Sequence, residues 1–237
     1  MTVIARLRVL ALVLPVIAIV ALPHTAHAVR KTSNVVIVGD SVANVLRWAP
    51  ESMKPLWSSE YNAILDTWGC QQLINKGCSP TSQLSALQRI ISHRHDNIEV
   101  YVVETGYNDT GNSYLSSAIK KIAQEVKSQG AALIWLTYRE DGNVQIKNRM
   151  FNTVVRNQQT KLQIEILDWE KIARKNDHWF SPDLVHMNRF GGLQLARHIK
   201  MALDLHYGRG QNAISTTTSS ITPTTTSDPT TTTTVVG

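Results

Sequence analysis

Five short apolar runs recur along the middle of the chain, each almost unbroken by polar positions. They lie at 34–39, 61–66, 98–104, 131–137 and 162–168. Runs of this length without strict alternation are typical of strands that are covered on both faces of a sheet. The pattern therefore predicts five buried strands.

Between these runs, apolar residues return at the spacing of a helix. Three such stretches lie at 82–93, 114–130 and 190–206. Strands alternating with helices predict a parallel sheet with right-handed crossovers, that is, a three-layer α/β/α domain. The predicted apolar faces are Leu84, Leu87, Ile90 and Ile91 in the first stretch, Leu115, Ile119, Ile122 and Val126 in the second, and Leu193, Leu195, Ala196, Ile199 and Leu203 in the third.

The two ends of the chain differ in composition from this alternating middle. Residues 1–28 combine two arginines, an apolar run and Ala26-His27-Ala28, the pattern of a cleaved secretory signal peptide. A retained membrane anchor is the alternative, although the apolar run is short for a spanning helix. Residues 209–237 become rich in Thr, Ser and Pro and predict a disordered tail. The folded domain is then expected over 29–208.

Charge and cysteine content narrow the expected partners and the compartment. The net charge is +6, and removal of the signal peptide with Arg6 and Arg8 lowers it to +4. This mild excess suits an anionic envelope polymer, and no basic run with interleaved aromatic residues indicates nucleic acid. Cys70 and Cys78 are the only cysteines, and in an exported chain they predict a disulfide. Two cysteines without nearby histidines do not make a zinc site.

Polar residues follow the predicted strands, at the edge where ligands bind to open parallel sheets. Ser41 comes directly after the first strand, and it could simply cap the following helix. A serine becomes a nucleophile when a base takes its proton and a third group orients the base. His186 has an acid, Asp183, at a spacing that lets the carboxylate reach Nδ1. These three residues are the candidates for a catalytic triad.

Two further residues of the same edge have both a structural and a functional interpretation. Asn108 lies after the third strand and could either form a turn or donate its amide to an oxyanion. Gly69 follows the second strand, where a glycine could end the strand or bring a bare backbone N–H close to a substrate. The residues alone leave both choices open.

Together these segments resemble three conserved blocks of a known family. Gly39-Asp40-Ser41, Gly106-Tyr107-Asn108-Asp109 and Asp183-Leu184-Val185-His186 are similar to blocks I, III and V of the SGNH (GDSL-type) esterases and acyltransferases, and the resemblance covers most of 34–204. It implies a flavodoxin-like fold with a parallel five-stranded sheet, and no cofactor or metal. It also implies roles for individual residues: Ser41 as nucleophile, His186 as base, Asp183 as the residue that orients it, and Ser41, Gly69 and Asn108 as the oxyanion hole.

The resemblance predicts a secreted, monomeric serine esterase, and several alternatives stay open. An acyltransferase acting on an envelope polysaccharide would use the same acyl-enzyme. A wall-binding module would use Trp48, Trp57 and Trp179 as stacking platforms, and a metallophosphoesterase would need more ligands than this edge supplies. The G-x-S-x-G elbow of α/β-hydrolases is absent, because Ala43 replaces its second glycine. The segment 47–57 is expected to form part of the substrate wall.

Overall fold

Five parallel strands form the centre of the domain. The computed structural model describes residues 32–57, 60–78 and 84–209. The strands occur in the order β2-β1-β3-β4-β5 and pair in parallel throughout. This order confirms the predicted flavodoxin-like sheet. The strands are β1 (Ser33–Gly39), β2 (Tyr61–Thr67), β3 (Val100–Glu104), β4 (Ala132–Leu136) and β5 (Glu165–Leu167).

Helices pack in two groups. Helices α2, α3 and α4 contact one another in sequence order, whereas α1, the 3₁₀ turn Pro50–Met53 and α6 form a second group. Both faces of β1 and β3 are covered, so almost every residue of these strands is buried. The helices are α1 (Val45–Trp48), α2 (Ala86–Ser92), α3 (Asn112–Ser128), α4 (Gln145–Leu162), α5 (Trp169–Ala173) and α6 (Arg189–His206).

The last strand is shorter than its apolar run. The prediction of a strand over 162–168 was wrong at its start, because α4 continues to Leu162 and ends at Gln163 in the left-handed conformation. Helix α4 itself escaped prediction because its inward face is partly polar. Its buried Asn152 exchanges two hydrogen bonds of 2.7 Å with the backbone of Tyr138, and Asn148 donates to the Arg139 carbonyl.

The first predicted helix begins later than its apolar pattern suggests. Ser85 caps the N-terminus of α2 and forms a capping box with Gln88. Leu84 therefore precedes the helix and is 42% exposed, while Ile91 lies at the edge of the buried face and is 37% exposed. The prediction that Leu84 and Ile91 belong to the apolar face was wrong. The buried face of this helix includes Arg89 instead.

The strand order places a crevice beside the first and third strands. The chain continues from β1 to the edge strand β2 and returns past β1 to form β3, so β1 and β3 flank the point where the order reverses. Ligands of doubly wound sheets bind at this point, outside the carboxyl ends of the strands. No helix in the described ranges is long and apolar enough to cross a membrane. The predicted signal peptide lies outside the described residues, as does the predicted tail beyond Arg209.

Candidate active site

Ser41 lies at the carboxyl end of β1, in a turn that precedes helix α1. The backbone N–H of Asn44 donates to the Asp40 carbonyl across this turn. Helix α1 has only four residues and begins at Val45, so Ser41 is not its N-cap and gains little from its dipole. The interpretation of Ser41 as a helix cap was therefore wrong. The tight turn positions the serine at the edge of the sheet.

A chain of hydrogen bonds connects the hydroxyl of Ser41 to a carboxylate. Ser41 Oγ lies 3.0 Å from Nε2 of His186, and Nδ1 of His186 lies 2.5 Å from Oδ2 of Asp183. Both ring nitrogens are thus engaged, one by the hydroxyl and the other by the carboxylate. The side chains of His186 and Asp183 are each 47% exposed, so solvent has access to the imidazole.

The loop that carries these two residues has its own internal support. Asp183 Oδ1 accepts hydrogen bonds of 3.0 Å from the backbone N–H groups of Val185 and His186. Leu184 adopts a left-handed φ of 59°. Asp183 and His186, three positions apart, therefore meet in a tight turn and not in a turn of helix. The Asp183 carboxylate accepts backbone hydrogen bonds that carbonyl groups would accept in a helix.

The same contacts set the charge of the carboxylate. Burial would raise the pKa of Asp183, but the hydrogen bonds from the His186 ring and from two backbone N–H groups outweigh it and lower the pKa below its ordinary value. Asp183 is therefore ionised at neutral pH and can hold the imidazole in one tautomer. This is the orientation that a general base requires.

Asn108 lies in the loop after β3 and lines the same cleft as Ser41 and His186. Its Nδ2 donates to the Gln71 carbonyl over 3.1 Å. A primary amide carries two N–H groups, so this bond fixes the amide and leaves a second N–H for a ligand. The same segment binds the loop a second time, because Gln72 Nε2 donates to the Asn108 carbonyl over 3.0 Å.

Asp40 contributes to the site in a way that the sequence did not reveal. Its carboxylate is fully buried and accepts hydrogen bonds from the backbone N–H groups of Val42, Gly106 and Tyr107, at 3.0 to 3.1 Å. It therefore ties the Ser41 turn to the Asn108 loop. Burial raises the pKa of Asp40 to about 6, and the three N–H groups oppose that shift. In the sequence, the one sign of this role is the position of Asp40 directly before Ser41.

The cleft itself has a volume of about 200 Å³. One wall comes from the loop after β4, where Gly142 has a φ of 55° and lies so close to the Asp183 carbonyl that a side chain would collide with it. The prediction that the segment 47–57 forms part of the wall was wrong, because none of the lining residues comes from it. Its 3₁₀ turn Pro50–Met53 packs on α6 instead. The lining residues are Ser41, Val42, Tyr107, Asn108, Asn143, Val144, Asp183, Val185 and His186.

Gly69 is not among the residues that line this cleft. It follows β2, and a Cβ built on it would meet no protein atom within 4 Å. Packing of the described residues therefore does not require a glycine here, and a role toward a substrate stays a prediction. The next residue, Cys70, forms the predicted disulfide with Cys78, their Cα atoms 5.4 Å apart.

The aromatic residues expected in a wall-binding module do not form one surface. Trp48 and Trp57 are more than half exposed, but Trp179 is only 8% exposed. Trp179 instead stacks on Trp169, with ring centroids 5.9 Å apart. The prediction that Trp179 is a stacking platform was wrong, since its ring faces belong to the core.

Comparison with solved structures places this arrangement in a known fold, whereas no family model and no curated protein matches the chain. The chain is similar to TesA, at 15% identity and a TM-score of 0.60, over 73% of this chain and 99% of TesA. It is similar to an acetyl xylan esterase, at 16% and 0.56, over 72% and 99% of the two chains. A GDSL-like lipase from Bacteroides thetaiotaomicron gives 14% and 0.54, over 77% and 92%. The chain therefore has the α/β fold that SGNH (GDSL-type) esterases and lipases share.

Proposed function

We propose that this protein is a serine esterase that hydrolyses short acyl esters through an acyl-enzyme. Ser41 Oγ attacks the ester carbonyl while His186 Nε2 accepts its proton, and Asp183 stabilises the imidazolium. His186 then protonates the departing alcohol. Water, activated by the same imidazole, releases the acid and restores Ser41.

The observation that carries the proposal is the continuous Asp183–His186–Ser41 contact, with distances of 2.5 and 3.0 Å, at the edge of a cleft. A serine that only capped a helix would not need a histidine within hydrogen-bond distance of its hydroxyl. Such a histidine would in turn not need a carboxylate at its other ring nitrogen. Asn108 lines the same cleft with a free amide N–H and supplies a donor for the tetrahedral oxyanion. We assign the backbone N–H groups of Ser41 and Gly69 to the same oxyanion hole.

The size of the cleft supports a short acyl group. Its volume of about 200 Å³ is below the roughly 300 to 1,000 Å³ of pockets that enclose drug-sized ligands. One structure of similar fold is described as an acetyl xylan esterase, which fits an acetyl group on a carbohydrate alcohol. We propose esters of this class, including acylated carbohydrate of the cell envelope, as substrates.

We further propose that the protein acts outside the cytoplasm. The sequence of residues 1–28 has the pattern of a secretory signal, and the Cys70–Cys78 disulfide persists in oxidising compartments. Mass spectrometry of protein recovered from the culture medium tests this directly. A mature N-terminus near Val29 is expected, and a chain retained in the membrane with its leader would contradict secretion.

The test of the activity is a series of p-nitrophenyl esters from acetyl to decanoyl, assayed with the wild type and with Ser41→Ala. We expect turnover that is highest for the short esters and is lost in the variant without a change in melting temperature. A fluorophosphonate probe should add to Ser41 in the wild type alone. Wild-type turnover retained by Ser41→Ala, or no turnover of any ester in the series, would overturn the proposal.

A further inference from the structure

The side chains of Asp40 and Gln72 hold three backbone groups of the loop after β3, and a third side chain holds two more. Lys147, in the first turns of α4, donates its ammonium to the carbonyls of Tyr107 and Asp109. These two residues flank Asn108 on either side. A single cation therefore bridges the carbonyls of the two residues on either side of the asparagine that we assign to the oxyanion hole.

We propose that Lys147 is a positioning residue for the oxyanion hole, acting through Asn108. The inference rests on the proposed esterase activity, because it concerns the residue that would bind the oxyanion. An amide can stabilise a developing charge only if it is already in place when the carbonyl becomes tetrahedral. Lys147 supplies that preorganisation from α4, on the opposite side of the loop from Gln71 and Gln72.

The surroundings of Lys147 favour this interpretation over a solvated surface lysine. Its side chain is partly buried, and burial lowers the pKa of Lys147 while the carboxylates of Asp40 and Asp109 oppose the shift. Burying an ammonium costs free energy unless it is well paired. Two backbone carbonyls and two nearby carboxylates meet that requirement, and all four belong to the segments that build the site.

The other anchors of this loop explain why the loss of Lys147 should be local. Asp40 holds the N–H groups of Gly106 and Tyr107, and the Asp109 carboxylate accepts from the Leu73 N–H. These bonds would keep the loop on the sheet without Lys147. The carbonyls beside Asn108 would, however, lose their shared donor, so the side-chain amide would sample other orientations.

The test is a double-mutant cycle of Lys147→Met and Asn108→Ala, with Lys127→Met as the matched control. Lys127 is an exposed helix lysine that donates to Gln163, and its replacement should leave kcat unchanged. Lys147→Met keeps the aliphatic stem and should lower kcat by about tenfold or more with KM within about twofold. In the Asn108→Ala background the same change should lower kcat by less than about twofold. An equal loss in both backgrounds would overturn the proposal.

Hydrogen exchange gives a second measurement that does not depend on activity. The backbone N–H groups of Asn108 and Asp109 should exchange at least about tenfold faster in Lys147→Met than in the wild type or in Lys127→Met, whereas those of Gly106 and Tyr107 stay protected by Asp40. Unchanged exchange would overturn the positioning role even in an active enzyme. A wild type without ester turnover would instead refute the proposed function, and exchange would still decide whether Lys147 orders the loop. Should Lys147→Met fail to fold, both measurements are made on Lys147→Gln with the same criteria.

Discussion

Within the described residues, the side-chain amide of Asn108 donates one hydrogen bond, to the Gln71 carbonyl, and has a second N–H left for a ligand. The two interpretations of Asn108 differ in what this second N–H does. If the free N–H binds the oxyanion, Asn108→Ala should lower kcat by about 10²- to 10³-fold with KM nearly unchanged, because the bond strengthens in the transition state. Steady-state kinetics with a short ester beside a thermal melt measures both effects. A less stable variant with wild-type kcat would show that Asn108 only shapes the loop.

Gly69 offers a test that the fold should not disturb. Beyond its two chain neighbours, a Cβ on this residue meets no atom of the described residues within 4 Å, so Gly69→Ala should leave the melting temperature within about one degree of the wild type. If its N–H approaches the substrate, the new methyl group should still lower kcat/KM by about tenfold or more. Wild-type kcat/KM in the folded variant would remove Gly69 from the oxyanion hole.

Residue types and spacing were enough to find the three members of the hydrogen-bonded chain but not the residues that support them. Ser41, His186 and Asp183 have side chains whose chemistry is recognisable in any context, and the structure brings them together. Asp40 and Lys147 act on backbone groups that are 38 to 67 residues away. No pattern along the sequence encodes such contacts, because every residue offers the same N–H and C=O.

At the scale of elements, the loop closed by the Cys70–Cys78 disulfide contacts the site and restrains one of its residues. It begins next to Gly69 and contains Gln71, whose carbonyl fixes the Asn108 amide. Replacing both cysteines by serine should lower the free energy of unfolding by about 2 to 3 kcal/mol through the freed loop entropy. We also expect kcat to fall more than KM changes, because the partner of Asn108 becomes mobile.

Urea unfolding and ester kinetics of the double variant measure these two effects. A reducing agent should reproduce both of them in the wild type and should leave the variant unaffected. Unchanged stability and unchanged kcat together would show that the bridge neither restrains the chain nor supports the site.

Sequence patterns gave the central strands of the sheet accurately and its flanking helices less well. β1 and β3 are buried on both faces, so nearly every position must be apolar and the signal is strong. Helix α4 buries Asn148 and Asn152 against backbone groups of the loop after β4. A helix whose inward face carries amides has little apolar periodicity, so only tertiary structure reveals it.

For the molecule as a whole, buried carboxyl groups beneath the site should make stability depend on pH. Glu104 ends β3 and is 2% exposed. Burial and the nearby Asp40 carboxyl raise the pKa of Glu104 well above its ordinary value, and the Ala43 N–H only partly opposes them. As the pH rises above that ordinary value, the unfolded chain releases its proton more readily than the folded protein. Stability should therefore fall with rising pH.

Glu104→Gln should remove this contribution, since glutamine imitates the protonated form at every pH. The variant should gain stability over the wild type as the pH rises from 5 to 8, by up to about 1.4 kcal/mol per pH unit. Glu125→Gln is a control without a pH trend over this range, because the Arg94 side chain lowers the pKa of Glu125 and its contribution changes only at lower pH. A difference between Glu104→Gln and wild type that stays constant over this pH range would contradict the prediction.

Ser41 and His186 are neighbours in space but are separated by 145 positions along the chain. A nascent polypeptide exposes its N-terminal part first, so Ser41 leaves the ribosome long before His186 and Asp183. Until α4 and the loop before α6 have folded onto the sheet, the serine is an ordinary alcohol. The proposed triad is therefore incomplete in the growing chain, and the esterase activity that we propose would arise only once the whole domain has folded.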